Sequence, residues 1–305
     1  MSGADWLALG VLSVLWGGTF FLAKIALASV APMTLVFARV ALAAAALGTV
    51  LALTGRSFPS GGAAWRALAG MGVLNNVLPF SLIFWGQHAL PSGIAASLAS
   101  VLNATTPVFA ALVAHFLTRD EKLGARKGAG VLTGLAGVAV MLAPNLAAGA
   151  LSVDPLAVAG MCACLAAALI YAFAGVYGRR FKAMGIAPMQ VAFGQLACSA
   201  VIMAPVMLIV DRPWTAAAPG LAAVLAVVAL ALISTALAYV LFFRILASAG
   251  ATNLLLVTFL IPVTAILLSA VFLGERLAPV HGAGMALIGV SLALIDGRLS
   301  ARLSR

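Results

Sequence analysis

The chain alternates between apolar runs of helix length and short polar connections. A helix that crosses a bilayer needs about 20 consecutive apolar residues. Runs of this length predict ten transmembrane helices, near residues 5–29, 32–53, 65–86, 91–117, 126–144, 153–177, 187–210, 218–243, 250–273 and 279–295. Because little chain remains between these runs, we expect one membrane domain over residues 1–305 and no separate soluble domain.

Parts of the first half of the chain recur in the second half. The segment VAPMTLVFARVALAA at 30–44 returns as IAPMQVAFGQLACSA at 186–200, and residues 93–112 have a looser echo at 250–267. Each half holds an odd number of predicted helices, so the second half enters the bilayer from the opposite side. The predicted fold is therefore an all-α polytopic membrane protein built from two inverted five-helix repeats, residues 1–148 and 149–305.

Composition and charge support a membrane protein. Apolar residues make up 65% of the chain and charged residues 8%, and the mean hydropathy is +1.20. The net charge of +10 would suggest a nucleic-acid partner in a soluble protein. Here thirteen of the seventeen Lys and Arg residues, Arg179 and Lys182 among them, fall on one side of the predicted topology. The positive-inside rule then predicts a bacterial inner (plasma) membrane protein with both termini in the cytoplasm, and no nucleic-acid partner.

Several kinds of chemistry lack the residues they need. None of the seven acidic residues falls in the middle of a predicted span, whereas exchangers of protons for cationic drugs use a mid-membrane carboxylate. The spans also lack a Ser/His pair, an Asp-rich prenyl-diphosphate motif or a metal-ligand cluster at matching depth. We therefore expect a protein that is not an enzyme, binds no metal or cofactor, and does not exchange protons for cationic drugs.

Polar side chains at mid-span are the first candidates for a binding site. Asn75 and Asn76 stand near the centre of the third predicted helix. On the fourth, Ser97, Ser100 and Asn103 recur at a spacing that places them on one stripe. Such groups either form hydrogen bonds between helices or line a pocket. Both interpretations stay open at this point.

Aromatic side chains recur at related positions of the two halves. Trp16 and Phe20 share a face of the first predicted helix, and Tyr239 lies on a comparable face of the eighth. The repeat offset aligns Trp16 with Tyr171. These rings either line a central cavity or face the lipid and its headgroups.

Two cations and two prolines complete the candidates. Lys24 and Arg39 are the deepest cations, and each either extends to the headgroups or meets a substrate carboxylate. Pro107 and Pro262 correspond across the repeat, and proline removes a backbone hydrogen bond within a helix. We expect these prolines to be paired hinges for alternating access.

The motifs indicate a family. The chain resembles the drug/metabolite transporter superfamily, in its ten-helix EamA-type branch, through L-W-G-G-T-F-F-L-A-K at 15–24, A-P-M…F-A-R ending at Arg39, S-T-A-L-A-Y-V-L-F-F-R at 234–244 and L-G-E-R-L at 273–277. The first half departs from the last motif with T-R-D-E-K-L at 118–123. The resemblance implies inverted repeats, a central cavity and export of small metabolites.

The sequence thus predicts an exporter that works by alternating access, functions as a monomer, and carries a small molecule across the lipid bilayer. Aromatic or apolar amino acids are the first candidate substrates, because planar apolar groups stack on aromatic rings. The alternatives are a broad drug or toxin exporter, a threonine-type exporter and, remotely, a membrane sensor that does not transport. The predicted substrate-binding residues are Trp16, Phe20, Asn75, Asn76, Ser100, Asn103, Tyr171 and Tyr239.

Overall fold

The structure, a computed structural model, describes residues 2–118, 124–147, 154–249, 257–276 and 278–296. All regular secondary structure within these ranges is helical. The charged loop at 119–123, the motif residues 250–256 and the basic tail at 297–305 lie outside the described residues.

Helices occupy the intervals in which the sequence predicts membrane crossings. They are α1 (Gly3–Ala26), α2 (Pro32–Leu53), α3 (Gly62–Gly72), α4 (Leu78–Ala89), α5 (Ala95–Asn103), α6 (Thr106–Leu117), α7 (Ala125–Ala147), α8 (Pro155–Gly178), α9 (Arg180–Ala183), α10 (Pro188–Val210), α11 (Leu221–Ala231), α12 (Ala238–Ala249), α13 (Val257–Leu273) and α14 (Pro279–Asp296). In the described part of the chain, seven helical stretches are long and apolar enough to cross a membrane, and Leu260–Leu273 is a shorter apolar helix. This is a polytopic all-α membrane protein.

Proline and capping side chains set several helix starts. Proline occupies the first position of α2, α8 and α10, where its missing N–H costs no intrahelical bond. The Asp154 carboxylate caps α8 by accepting a hydrogen bond of 2.9 Å from the Leu156 N–H. At α1, Ser2 and Asp5 form a reciprocal capping box.

Two helical stretches widen into a π-helical turn. One turn, Val73–Val77, joins α3 to α4, and the other, Leu232–Leu237, joins α11 to α12. The Leu78 N–H donates to the carbonyl of Val73, five residues earlier. Pro79 follows directly and has no N–H to continue the normal α-helical ladder. Such turns are common at functional sites, because they change the direction in which side chains project.

The predicted fourth span is interrupted near its middle. Helix α5 ends at Asn103 and α6 begins at Thr106, with Pro107 in the first turn of α6. Proline fits a first turn well, so the break lies just before Pro107. Pro262 instead lies inside α13.

Close helix packing depends on glycine at two contacts. Gly86 of α4 faces Gly160 of α8, where a Cβ on either residue would lie 2.7 Å from the other backbone carbonyl. Gly17 of α1 lies against Ile261 and Ala265 of α13. Together with α2 on α10 and α7 on α14, these contacts form a helical bundle around a central cavity.

Candidate functional site

A central cavity of about 1060 Å³ lies between the helices. Six of the eight predicted substrate-binding residues line it, namely Trp16, Phe20, Asn75, Asn103, Tyr171 and Tyr239. They come from α1, α5, α8, α12 and the turn between α3 and α4. The structure thus brings together residues that are more than 220 positions apart in the chain.

The cavity reaches the surface at the end of α8. Arg179, Lys182 and Pro188 all contribute to its lining and are exposed. The sequence placed Arg179 and Lys182 in a basic loop and did not predict them as cavity residues, although they directly follow a span that carries Tyr171. The cavity therefore has a basic mouth.

Aromatic rings form much of the wall. The Trp16 and Phe242 rings lie 5.6 Å apart between centroids with an interplanar angle of 43°. Phe20, Phe80 and Tyr239 also line the cavity. A flat apolar group packs on such rings in an offset-stacked or edge-to-face arrangement.

Arg39 is a buried cation in this wall. Its side chain lies on the cavity, and the residue is only 5% exposed. Its guanidinium carbon lies 4.0 Å from the centroid of the Phe80 ring and 5.7 Å from that of Phe84. Its Nε donates a hydrogen bond of 2.9 Å to the Thr235 hydroxyl. Among the described residues, no carboxylate lies within ion-pair distance of Arg39.

Asn75 and Gln195 form a second polar group in the cavity lining. Asn75 Nδ2 donates to Gln195 Oε1 at 2.9 Å and to the Tyr239 hydroxyl at 3.3 Å. Gln195, which also lines the cavity, was missed by the sequence analysis. The signal was available, because the repeat of 30–44 in 186–200 aligns Gln195 with Arg39.

Asn76 and Ser100 do not line the cavity, contrary to the prediction. Asn76 is fully buried, and its Nδ2 donates to the Ser199 hydroxyl at 3.1 Å. The Ser100 hydroxyl donates to the Ser97 carbonyl at 2.7 Å within its own helix. Both asparagines lie in the π-helical turn, which directs the Asn75 amide to the cavity and the Asn76 amide to Ser199 of α10.

Lys24 also lies away from the cavity, and its anionic partner belongs to the protein. Its Nζ lies 3.8 Å from Glu275 Oε1 and donates to the Ser92 carbonyl. The buried Glu275 carboxylate accepts hydrogen bonds from the N–H groups of Ala96, at 3.0 Å, and Ser97, at 2.8 Å. Lys24 thus joins α1 to two other segments, rather than extending to headgroups or meeting a substrate.

In the described part of the chain, the cavity lining carries positive charge only. Arg39, Arg179 and Lys182 contribute to it, and no Asp or Glu of the described residues does. The described residues also contain no group of three or more His, Cys, Asp or Glu that could hold a metal ion. The cavity is therefore suited to a ligand that offers a flat apolar part and an anionic group.

Both halves of the chain match one family model. The EamA-like transporter family model matches residues 4–143 and again residues 158–296. The chain belongs to this family. This EamA-like transporter thus carries two copies of the family unit, and the cavity is formed by residues of both.

Two of the proteins that the chain resembles are named as transporters. The chain is 30% identical to the uncharacterized inner membrane transporter YedA of Escherichia coli K12 over 293 residues, covering 94% of this chain and 89% of that protein. It is 26% identical to the uncharacterized transporter YvbV of Bacillus subtilis, covering 97% and 92% of the two chains. A protein named PecM of Dickeya dadantii is also 26% identical, with coverages of 92% and 88%.

A solved crystal structure shares the fold of this EamA-like transporter. It superposes with a TM-score of 0.68 at 23% identity over the whole of both chains. The prediction of a drug/metabolite transporter with an EamA-type fold is confirmed at the level of the family.

Proposed function

We propose that this EamA-like transporter exports small metabolites with an aromatic or apolar part, by alternating access through the central cavity. The observation that carries the proposal is the aromatic wall, which contains Trp16, Phe20, Tyr171 and Tyr239 and reaches the surface at one end. Flat apolar groups gain from burial and from ring contacts there. A largely apolar pocket with a few placed polar groups is the usual form of a small-molecule site.

The proposed orientation places the mouth of the cavity on the cytoplasmic side of the inner membrane. Arg179 and Lys182 lie at that mouth, and the positive-inside rule assigns such basic loops to the cytoplasm. Both termini would then be cytoplasmic. A cavity open to the cytoplasm is the state in which an exporter collects its substrate.

The proposed architecture is ten crossings in two inverted repeats. Its support is a set of helix contacts that recur between the halves: α4 packs on α8 as α12 packs on α1, and α6 packs on α8 as α13 packs on α1. The two π-helical turns, at Val73–Val77 and Leu232–Leu237, also occupy corresponding positions. Arg39 bonds to the second turn as Gln195 bonds to the first.

The contacts of Glu275 support alternating access, because they would hold the end of the cavity opposite the mouth closed. Glu275 links the end of α13 to Lys24 of α1 and to the first turn of α5. In the proposed cycle this connection breaks as the mouth closes, and Pro107 and Pro262 are the hinges. A substrate drives such a change only through unequal affinity for the two states.

Aromatic and other apolar amino acids are the proposed substrates. Their side chains would stack on the aromatic wall, and Arg39 would bind the carboxylate. Asn75 and Asn103, which both line the cavity, would orient the amino-acid head through their amide groups.

A broad drug or toxin exporter is the second candidate, because the cavity of about 1060 Å³ exceeds the needs of one amino acid. Drug-sized ligands typically occupy pockets of about 300–1,000 Å³. Neutral or anionic compounds fit this alternative better than cationic ones, since no acid of the described residues lines the cavity.

Uptake into proteoliposomes tests the proposal. Labelled tryptophan, phenylalanine, threonine and a nucleotide sugar are supplied separately, each with and without an imposed pH gradient. We expect saturable flux of tryptophan and phenylalanine. Flux of threonine or the nucleotide sugar alone would contradict the role of the aromatic wall, and binding without any flux would indicate a sensor.

A further inference from the structure

We infer that the cavity selects ligands by net negative charge, and that its preferred class is aromatic or apolar monocarboxylates without an ammonium group. The inference rests on the proposed function, and within the metabolites proposed there it ranks monocarboxylates without an ammonium group above amino acids. It depends on the positive charges of Arg39, Arg179 and Lys182 in the lining, and on the lack of Asp and Glu in the described part of that lining.

The first step is the state of Arg39. Arg39 is only 5% exposed, yet it lines the cavity. One hydrogen bond joins its Nε to Thr235. A guanidinium carries further N–H donors arranged as a fork that matches a carboxylate. In the described part of the chain, these donors have no carboxylate partner.

The contacts of Arg39 with aromatic rings do not neutralise it. Its guanidinium lies over Phe80 at 4.0 Å, and a cation–π contact is worth about 0.5–2 kcal/mol. The ring faces orient the guanidinium without supplying a counter-charge. An anion that enters the cavity therefore supplies the counter-charge that the described residues do not give Arg39.

The second step is the absence of an acidic partner for an ammonium group in the described part of the lining. A zwitterionic amino acid brings one charge of each sign into the cavity. Its carboxylate finds Arg39, but among the described residues its ammonium finds only neutral acceptors in the lining, such as Asn103 Oδ1, and no Asp or Glu. Desolvating an unpaired charge is costly. Removing the ammonium from the ligand thus removes a cost and leaves the ion pair intact.

The third step is the basic mouth. Arg179 and Lys182 line the exposed end of the cavity. A cleft with charges of one sign raises the local concentration of oppositely charged ligands. The mouth therefore attracts the same class of ligand that Arg39 binds. One guanidinium inside balances one negative charge, so a monocarboxylate fits better than a dianionic phosphate ester.

Binding of three matched ligands to the purified transporter tests the inference. Phenylalanine, 3-phenylpropanoate and 2-phenylethylamine share one ring and chain, and differ in which charged groups they carry. We expect calorimetry to show the propanoate binding about 10-fold or more tighter than phenylalanine, with the amine weakest. Binding is measured rather than flux because the protonated propanoate crosses bilayers unaided.

Variants at Arg39 separate charge selection from a structural role. Arg39→Gln should lower the affinity for the propanoate about 10- to 100-fold and remove its advantage over phenylalanine. Arg39→Lys keeps the charge and should keep the order of the three ligands, at lower affinity because the planar fork is lost. A merely structural Arg39 would instead make all three affinities fall together.

Variants at the mouth have a control within the same segment. An Arg179→Gln/Lys182→Gln double variant should weaken the dependence of propanoate affinity on salt concentration. Arg180 lies between these residues, but its guanidinium stacks on the Tyr177 ring at 3.3 Å and does not line the cavity. Arg180→Gln should keep the full salt dependence.

The outcomes that overturn the inference differ from those that overturn transport. Equal or tighter binding of phenylalanine or the amine, no binding of the propanoate, or an unchanged ligand order in Arg39→Gln would each refute charge selection. Charge-selective binding without saturable phenylalanine or tryptophan flux would leave charge selection standing and refute export of aromatic amino acids. Saturable phenylalanine or tryptophan flux without charge-selective binding would leave export standing and refute charge selection.

Discussion

The carboxylate of Glu275 lies 3.8 Å from the ammonium of Lys24, at the end of α1 that points away from the cavity mouth. The same carboxylate accepts the backbone N–H groups of Ala96 and Ser97 at the start of α5. One buried acid thus holds three segments together. Charged hydrogen bonds of this kind contribute about 1.5–3 kcal/mol each.

Replacing this carboxylate should open the closed end. Glu275→Gln keeps the shape of the side chain but removes its charge, so we expect about 10- to 100-fold faster maleimide labelling of a Ser97→Cys reporter, in a chain whose native cysteines are replaced by alanine. Lys24→Met should have a smaller effect, because Glu275 keeps its two backbone donors.

The neighbouring Arg276 provides the control for this experiment. It is exposed, so Arg276→Gln should leave the labelling rate unchanged. Equal rates in Glu275→Gln and Arg276→Gln would show that the Glu275 contacts do not keep this end closed.

The contact of α1 with α13 should tolerate no added methyl group. A Cβ at Gly17 would overlap the Thr264 hydroxyl and come within 2.9 Å of the backbone at Ile261 and Ala265. The Thr264 hydroxyl also donates to the Ser13 carbonyl at 2.8 Å, which fixes the two helices together. We expect Gly17→Ala to destabilise the protein by about 1–3 kcal/mol.

Thermal melting, with size-exclusion chromatography to measure the folded fraction after each heating step, measures this effect. Gly10 of the same helix has no atom within 4 Å of its Cβ position, so Gly10→Ala should melt at or slightly above the wild-type temperature. A Gly17→Ala protein that melts with the wild type would contradict the close approach of α1 and α13.

The two neighbouring asparagines should have different roles. Asn75→Ala removes an amide from the cavity lining, so we expect a KM raised about 5- to 30-fold with little loss of stability. Asn76→Ala removes the buried bond to Ser199, so we expect a lower melting temperature with an almost unchanged KM. Similar KM values in the two variants would remove Asn75 from the proposed site.

The paired prolines should affect turnover more than binding. Pro107 follows the break between α5 and α6, and Pro262 lies inside α13. Restoring the helical N–H at both positions favours straight, continuous helices. A Pro107→Ala/Pro262→Ala double variant should therefore bind substrate normally and transport it several-fold more slowly. Full transport by this variant would contradict the hinge role.

The sequence predicted the face of α1 well, whereas on α5 it placed Ser100 with Asn103 and only Asn103 lines the cavity. Trp16 and Phe20 are four residues apart on α1, and this spacing alone placed both on one face. The structure brings that face to the cavity, together with Tyr239. A local period is sufficient for such a prediction, because a regular helix fixes the relative directions of its side chains.

Predictions failed where the helix is irregular or the contact is distant in sequence. The π-helical turn at Val73–Val77 changes the directions of nearby side chains, so periodicity could not decide which asparagine faces the cavity. Glu275 belongs to a motif that the sequence analysis quoted, yet its partners Ala96 and Ser97 lie about 180 residues away. No local pattern indicates such a contact.

Transport through the cavity is the central claim, and blocking the cavity tests it most directly. Gly175 lines the cavity, and no atom lies within 4 Å of its Cβ position, so Gly175→Trp adds a large ring to the passage without a clash at Cβ. Gly10→Trp on α1 is the control, because Gly10 has similar free space but does not line the cavity. Labelled tryptophan uptake into proteoliposomes should be saturable for the wild type and Gly10→Trp, and should fall to the level of protein-free liposomes for Gly175→Trp. Wild-type uptake at the protein-free level, or undiminished uptake by Gly175→Trp, would contradict the account.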